Sequence, residues 1–239
     1  MKKIIYLIPL YNKENVLENT FKSLKSFSID KINIHFLFVE NGSKDKSLQK
    51  LNKLIKKDDN FSVVTSEKGM GIAIKTGMKF INSNFDTKNT LLVITGADLP
   101  FGFSDYENCL SDYSYGTVEI FIGSKTHKKT SIDRKISRIL YSKIFNILLK
   151  LFFKIDIGDT QGTFIIDLDK VDLSRLIPKS YGFFATAEIC ILAKEENYQI
   201  SEIPVTQQFL SHDKSTVKII RDTIFILREM LVFRFLLKK

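Results

Sequence analysis

The sequence predicts an α/β fold: a mostly parallel sheet flanked by helices, followed by a C-terminal amphipathic helix. Three observations carry this. Apolar runs at 4–8, 34–39, 62–65 and 91–94 alternate with helical patterns at about 14–27, 44–57 and 71–82. Runs such as IIYLI, IHFLFV and LLVI are apolar on both faces, as expected of central strands covered on each side. The chain has 239 residues, 44% of them hydrophobic and 12% aromatic, enough to bury a large core. Only 4 Pro and 11 Gly, with no Pro/Gly/Ser-rich stretch, leave no visible linker or repeat, so one domain with an appendage is expected.

The opening MKKIIYLIPL reads as a first strand, since it lacks the apolar length and small-residue cleavage site of a signal peptide. Ligands in such sheets bind at the carboxyl ends of the strands, which directs attention to Pro9–Glu14, Glu40–Lys46, Glu67–Gly71 and Thr95–Pro100, all polar or Gly-rich. Ser104 and Glu107 have the spacing of a capping box at the start of a helix. A strand at 118–122 then runs into Gly123-Ser124-Lys125. Thr130 and Asp133 are candidate caps for a long helix to about Lys154. Residues 125–154 hold nine Lys/Arg against the single acid Asp133, in a chain of net charge +9. Next come a polar loop at Asp159–Gly162, a strand at 163–167, a helix at about 184–196, a strand at 199–205 and an amphipathic helix at about 216–237. No window approaches the roughly 18 uninterrupted apolar residues of a spanning helix. The nearest, 139–153 and 223–237, are broken by Lys143, Lys150, Arg228, Glu229 and Arg234.

Several chemistries are excluded. There is no GxGxxG after the first strand, no GxxxxGK[ST], no HExxH and no GxSxG, and His35, His127 and His212 are scattered. Cys109 and Cys190 stand far apart without metal-ligand spacing, which fits a reducing compartment. The basic residues interleave with aliphatic ones rather than with a stacking platform, so nucleic acid is not the expected partner.

Four segments in order, Ile8-Pro9-Leu10-Tyr11-Asn12-Lys13-Glu14, Phe38-Val39-Glu40-Asn41-Gly42-Ser43-Lys44-Asp45, Glu67-Lys68-Gly69-Met70-Gly71-Ile72-Ala73-Ile74-Lys75-Thr76-Gly77 and Thr95-Gly96-Ala97-Asp98-Leu99-Pro100, resemble the signatures IPxYNE, VVDDGSxD, NxGxGxAxRxG and DAD of family 2 glycosyltransferases of the GT-A fold. Asp159-Thr160-Gln161-Gly162-Thr163-Phe164, Gly182-Phe183-Phe184, Glu188-Ile189 and Glu202-Ile203-Pro204-Val205 are similar to the later motifs of the polyprenyl-phosphate (dolichyl-phosphate) glucosyl- and mannosyltransferases. The resemblance implies a GT-A domain over 1–212, with a nucleotide-binding half at about 1–100 and an acceptor half at about 101–212. Residues 213–239 would then form an amphipathic, membrane-associating helix. It implies inverting transfer of a hexose from a UDP- or GDP-sugar to polyprenyl phosphate, assisted by Mg2+ or Mn2+, by an enzyme peripheral on the cytoplasmic face of a membrane. Nucleotide contacts would come from Pro9, Tyr11, Asn12, Glu14, Glu40, Asn41, Gly42, Ser43, Lys68, Gly71 and Lys75. Asp98, Asp159 and Gln161 would be catalytic, with Asp98 the metal ligand, and Lys125, Arg134, Ser137 and Arg138 would meet the acceptor phosphate.

The chemistry agrees. A departing diphosphate needs cations to offset its charge, and Mg2+ or Mn2+ requires few protein oxygens when phosphates and water complete its shell. A phosphate acceptor is already anionic, so no general base is required. The chain departs from the pattern at Gly96, where the first acid of DAD is missing; at Glu40-Asn41, where the family has Asp-Asp; and at Lys125, which offers a point charge in place of an Arg fork. Simpler roles remain open: Asp98 as a turn former, Gly69, Gly71 and Gly77 as packing glycines, and Asp159 and Gln161 as loop hydrogen bonders. An acceptor that is a lipid-linked saccharide or surface polysaccharide, and a non-catalytic nucleotide-sugar binder, are the competing functions.

Overall fold

Strand β1 (Lys3–Leu10) lies inside the sheet, with residues buried on both faces: Ile5 and Leu7 on one, Ile4, Tyr6 and Ile8 on the other. The computed structural model describes residues 3–29, 32–56, 58–113, 117–132, 136–206 and 219–237. Helix α1 (Leu17–Ser26), strand β2 (Asn33–Glu40), helix α2 (Ser47–Ile55), strand β3 (Phe61–Thr65), helix α3 (Met70–Asn84) and strand β4 (Thr90–Ile94) complete a parallel half in the order β3-β2-β1-β4. Helix α4 (Ser104–Tyr113), strand β5 (Ile120–Ser124), helix α5 (Ile136–Phe153), strand β6 (Thr163–Asp167), helix α6 (Phe184–Glu195), strand β7 (Ile200–Pro204) and helix α7 (Ile219–Val232) follow, the last continuing as a wider turn over Phe233–Leu237. The seven-stranded order is β3-β2-β1-β4-β6-β5-β7, and β6 alone runs antiparallel to both of its neighbours. Helices α3, α5, α6 and α7 cover one face and α1, α2 and α4 the other, each over its own apolar cluster.

The differences from expectation have local causes. Helices α1 and α2 begin three residues late because residues 12–14 and 43–47 bond to one another instead. Ser104 makes no capping box: its hydroxyl donates to Phe101 O (2.9 Å) and accepts the Thr206 N–H (3.1 Å), tying α4 to the end of β7. Thr130 serves a similar tie, donating to Ser124 O (2.8 Å) and accepting the Val205 N–H (3.0 Å); its proposed companion Asp133 lies outside the described residues. The strand expected at 118–122 is displaced to 120–124, since its parallel partner begins at Ile200, opposite Ile120, and Val118 packs at the rim of the core.

Beneath β5 and β6, Asp105 is 2% exposed, and burial pushes its carboxyl from an ordinary 3.8 up to about 6. A carboxyl raised in the folded state favours folding while protonated, so stability is lost as pH rises from about 4 through 6. Asp105→Asn is therefore expected to remove a decline of about 3 kcal/mol between pH 4 and 7, read as the difference between the variants' denaturation midpoints across that range. Parallel profiles for the two proteins would refute it.

Candidate active site

The chain leaves β1 through Tyr11 and Asn12, the latter in the left-handed region at φ +50°. Its N–H donates to Ser43 Oγ (2.9 Å) and its Oδ1 accepts the Lys44 N–H (2.7 Å). Glu14 accepts the Lys46 N–H (2.8 Å), and its own N–H donates to Asp45 (3.2 Å). Glu40 and Asn41 are only 5% and 4% exposed. Glu40 accepts the Ser43 N–H, and Asn41 Oδ1 accepts the Gly69 N–H (2.9 Å), which fastens the loop after β2 to the loop after β3. Expected nucleotide residues thus come together, yet several of these polar groups hold loop to loop. Pro9 is buried inside β1 opposite Val39, away from the loop surface. The surface left open is a ledge of Tyr11, Gly42 and Lys68. The Lys68 ammonium lies 4.6 Å from the Tyr11 ring centre and pulls the phenol below its usual range, and Gly42 turns at φ +70° beside the Lys68 backbone.

At the start of α3, the Gly71 and Ile72 N–H groups donate to Tyr181 O (2.8 and 3.3 Å). A Cβ on Gly71 would stand 2.1 Å from Ser180 O, so only glycine admits this approach. Gly71 is engaged by protein, and Lys75 lies half-buried one turn further on. Loop 179–184 is itself held by two carboxylates that sequence reasoning did not assign to it. Glu188 of α6, fully buried, accepts the Lys179 and Ser180 N–H groups (2.7 and 2.8 Å). Glu229 of α7 accepts those of Tyr181 and Gly182 (2.9 and 2.7 Å), and burial raises its carboxyl.

The loop after β4 is fixed by Thr95 N–H to Leu7 O (3.1 Å) and by the Thr20 hydroxyl to Ala97 O (2.6 Å). It presents Asp98, whose side chain is 43% exposed and whose Oδ2 lies 3.3 Å from Lys13 Nζ. In the sequence Lys13 stands only as one residue of the segment that resembles IPxYNE, with no role assigned to it. Among the described residues no three His, Cys, Asp or Glu side chains gather to hold a metal. Asp98 is of the right type for Mg2+ or Mn2+, supplying one carboxylate whose Oδ2 already carries an ammonium.

On the far side, Asp159 Oδ2 accepts both the backbone N–H and the ammonium of Lys125 (2.9 Å each), and Oδ1 accepts the Gln161 N–H (3.1 Å). Glu202 of β7 in turn accepts the Gly158 and Asp159 N–H groups (2.9 and 3.0 Å). The Gln161 amide donates to Phe183 O and Thr186 Oγ1 (2.9 Å each). The Lys125 ammonium, held by Asp159 and by Gln161 O (3.2 Å), lies 5.7 Å from the ring centre of Phe101, at the end of the Asp98 loop. Arg134 and the side chains of Ser137 and Arg138 lie outside the described residues.

A mostly parallel seven-stranded sheet with these polar loops at the carboxyl ends of β1, β2, β3 and β4 defines the class: a GT-A-like glycosyltransferase fold. Glucosyl-3-phosphoglycerate synthase of Mycobacterium tuberculosis, solved with Mn2+, UDP and glucosyl-3-phosphoglycerate, matches 98% of the chain and 80% of its own at a TM-score of 0.68 and 12% identity. The chain belongs to glycosyl transferase family 2, whose model matches residues 6–172. The dolichyl-phosphate β-glucosyltransferase of Saccharomyces cerevisiae is 23% identical over 95% of this chain and 73% of its own length. The UDP-N-acetylglucosamine–dolichyl-phosphate N-acetylglucosaminyltransferase of Methanococcus voltae is 25% identical over 85% of both. The chain spans only 46% and 32% of two further relatives, glycosyltransferases of Bacillus subtilis and Haloferax volcanii.

Proposed function

We propose that the protein transfers a hexose from a nucleotide-diphosphate sugar, UDP- or GDP-linked, to polyprenyl phosphate with inversion. Residues 1–100 would hold the donor, 101–212 the acceptor, and 213–239 would associate with the membrane. One oxygen of the acceptor phosphate attacks the anomeric carbon, the bond from that carbon to the donor diphosphate breaks, and the nucleoside diphosphate leaves with the electron pair. The attacking oxygen is already anionic, so no proton need be removed first. The Tyr11, Gly42 and Lys68 ledge would carry the nucleotide, Lys125 the acceptor phosphate, and the Asp98 loop the diphosphate between them. A Mg2+ or Mn2+ ion, as the resemblance implies, would be held by Asp98 and would offset the leaving charge.

The observation that carries the acceptor class is the outer face of α5. Leu140, Ile144, Ile147 and Leu151 recur at i, i+4, i+7 and i+11, and all are exposed, Leu151 to 70%. Lys143 and Lys150 border them, and Ile224, Phe225 and Phe235 are also exposed on α7 and its continuation, which meets α5 through Phe153 and Phe233 (5.9 Å between ring centres). Among the described residues no helix is long and apolar enough to cross a membrane, so this surface fits one that lies on it. A peripheral place on the cytoplasmic leaflet, whose anionic lipids attract basic segments, is supported by the same face. The two dolichyl-phosphate relatives support the reading.

The test mixes purified protein, Mg2+ or Mn2+, short-chain polyprenyl phosphate in detergent and a panel of UDP- and GDP-hexoses, and follows lipid-linked sugar by mass spectrometry. Product from one donor is expected. A donor that raises the melting temperature without reacting would remove polyprenyl phosphate as acceptor. Ile147→Glu combined with Leu151→Glu is expected to weaken sedimentation with anionic vesicles about tenfold or more while leaving thermal stability unchanged.

A further inference from the structure

We propose that the segment Tyr181–Phe183 is the subsite for the isoprenoid stem of the acceptor, with the Tyr181 ring lying along the first units beyond the phosphate. This subsite deepens the polyprenyl-phosphate reading above, rests on it, and says where the apolar part of that substrate leaves the polar loops.

Such an acceptor joins an anionic head to a long hydrocarbon, so its phosphate must be held among polar loops while its tail runs out to lipid. Whatever receives the stem has to begin beside the phosphate cation and end at the apolar surface. Loop 179–184 meets both ends. At the inner one, the Lys125 ammonium lies 3.2 Å from Gln161 O, and the Gln161 amide donates to Phe183 O (2.9 Å). At the outer one, the Gly182 backbone passes so close to α7 that a Cβ on it would stand 2.6 Å from Phe225 Cε1. Phe225 is 44% exposed, next to Ile224 at 63%. At the foot of the loop, Phe184 packs between Phe153 of α5 and Phe233 (6.3 and 5.7 Å between ring centres). The loop therefore lies over the seam between the two helices that carry exposed apolar side chains, and a short series of contacts joins Lys125 to that surface.

Tyr181 is the large exposed aromatic on this path, 67% open, yet its backbone is held on both sides. Its N–H donates to Glu229 (2.9 Å), and its carbonyl accepts the Gly71 and Ile72 N–H groups (2.8 and 3.3 Å). A ring on so fixed a backbone offers apolar area for little lost freedom, and its hydroxyl suits the wet side of an interface. Phe183, half-buried, adds a second aromatic side chain to the segment.

The experiment titrates the full chain by calorimetry, below micelle-forming concentrations, with geranyl phosphate and with methyl phosphate, which has the same head and no stem. Wild type is expected to bind geranyl phosphate about tenfold or more tightly than methyl phosphate, since burying an isoprene unit against an aromatic ring removes that much apolar area from water. Tyr181→Ala is expected to cut this preference to about threefold or less, and Tyr181→Phe to keep it, with methyl phosphate bound alike by all three. The melting temperature, the thermal shift given by UDP or GDP, and sedimentation with anionic vesicles should be the same for Tyr181→Ala as for wild type. An undiminished preference in Tyr181→Ala would overturn the proposal. So would a loss confined to nucleotide binding, which would move the ring to the donor, or to sedimentation, which would make it a membrane anchor only. If wild type binds the two phosphates equally, the stem subsite falls and a phosphate acceptor stands; if it binds neither, the polyprenyl-phosphate reading falls and the subsite with it.

Discussion

Replacing Asp98 by Asn is expected to lower kcat/KM for hexosyl transfer by about 10²–10³-fold, the range for removal of one preorganised charge partner at a reacting centre. The change keeps the shape of the side chain and deletes its charge. The Lys13 ammonium then loses its ion pair with Asp98, and any cation at this point loses that carboxylate. Stability should barely move, because the ion pair is partly exposed and pairs of that kind contribute about 0–1 kcal/mol. The loop is held independently, by Leu99 N–H to Gly96 O (3.0 Å) and Thr20 to Ala97 O (2.6 Å). Steady-state kinetics beside a thermal melt checks both halves. Unaltered turnover would remove Asp98 from the chemistry, and a large fall in melting temperature would reassign it to the fold.

The second large effect falls on stability. Glu188→Ala strips the acceptor from two backbone N–H groups, at Lys179 and Ser180, in a region where Ser180 is 6% exposed. Each orphaned N–H costs about 1–3 kcal/mol, and a small cavity adds to that, so a loss of about 2–5 kcal/mol is expected, roughly 5–15 °C in a chain of this length. Glu188→Gln should fall between, since its amide oxygen can serve one N–H while its NH2 opposes the other. The same loop carries Tyr181 O, the acceptor for the first N–H groups of α3, so surviving Glu188→Ala protein should also show a raised donor KM. A melting temperature within 1 °C of wild type, an order of magnitude below the expected shift, would contradict the account.

Strands β1 and β4 were legible because a parallel strand buried on both faces is written as an uninterrupted apolar run, and IIYLI and LLVI are such runs. The reversed direction of β6 was not, for TFIID has the same composition whichever way it runs, and what fixes it is pairing with β4 and β5. Hydroxyls were misread for a related reason. Ser104 and Thr130 have cap-like spacing, but tertiary partners just past β7, Thr206 and Val205, compete for them and win. In the site, motif spacing located Asn12, Glu40, Asn41, Asp98 and Asp159 on adjoining loops. It could not show that their side chains are engaged by other loop residues, because a loop motif looks the same whether its polar atoms face a ligand or a neighbouring loop. Glu229 was out of reach: its partners Tyr181 and Gly182 lie 48 and 47 residues earlier, and nothing local marks it.

The contact of Glu229 with loop 179–184 makes the last helix a keystone. Tyr181 passes its grip on to Gly71 and Ile72 at the start of α3, so two helices far apart in sequence are held through one loop. Met230 and Phe233, 1% and 2% exposed, seat that helix in the core beneath its apolar outer face. A protein trimmed of this helix would keep every motif of its nucleotide loops and still lose the carboxylate that holds loop 179–184 against them.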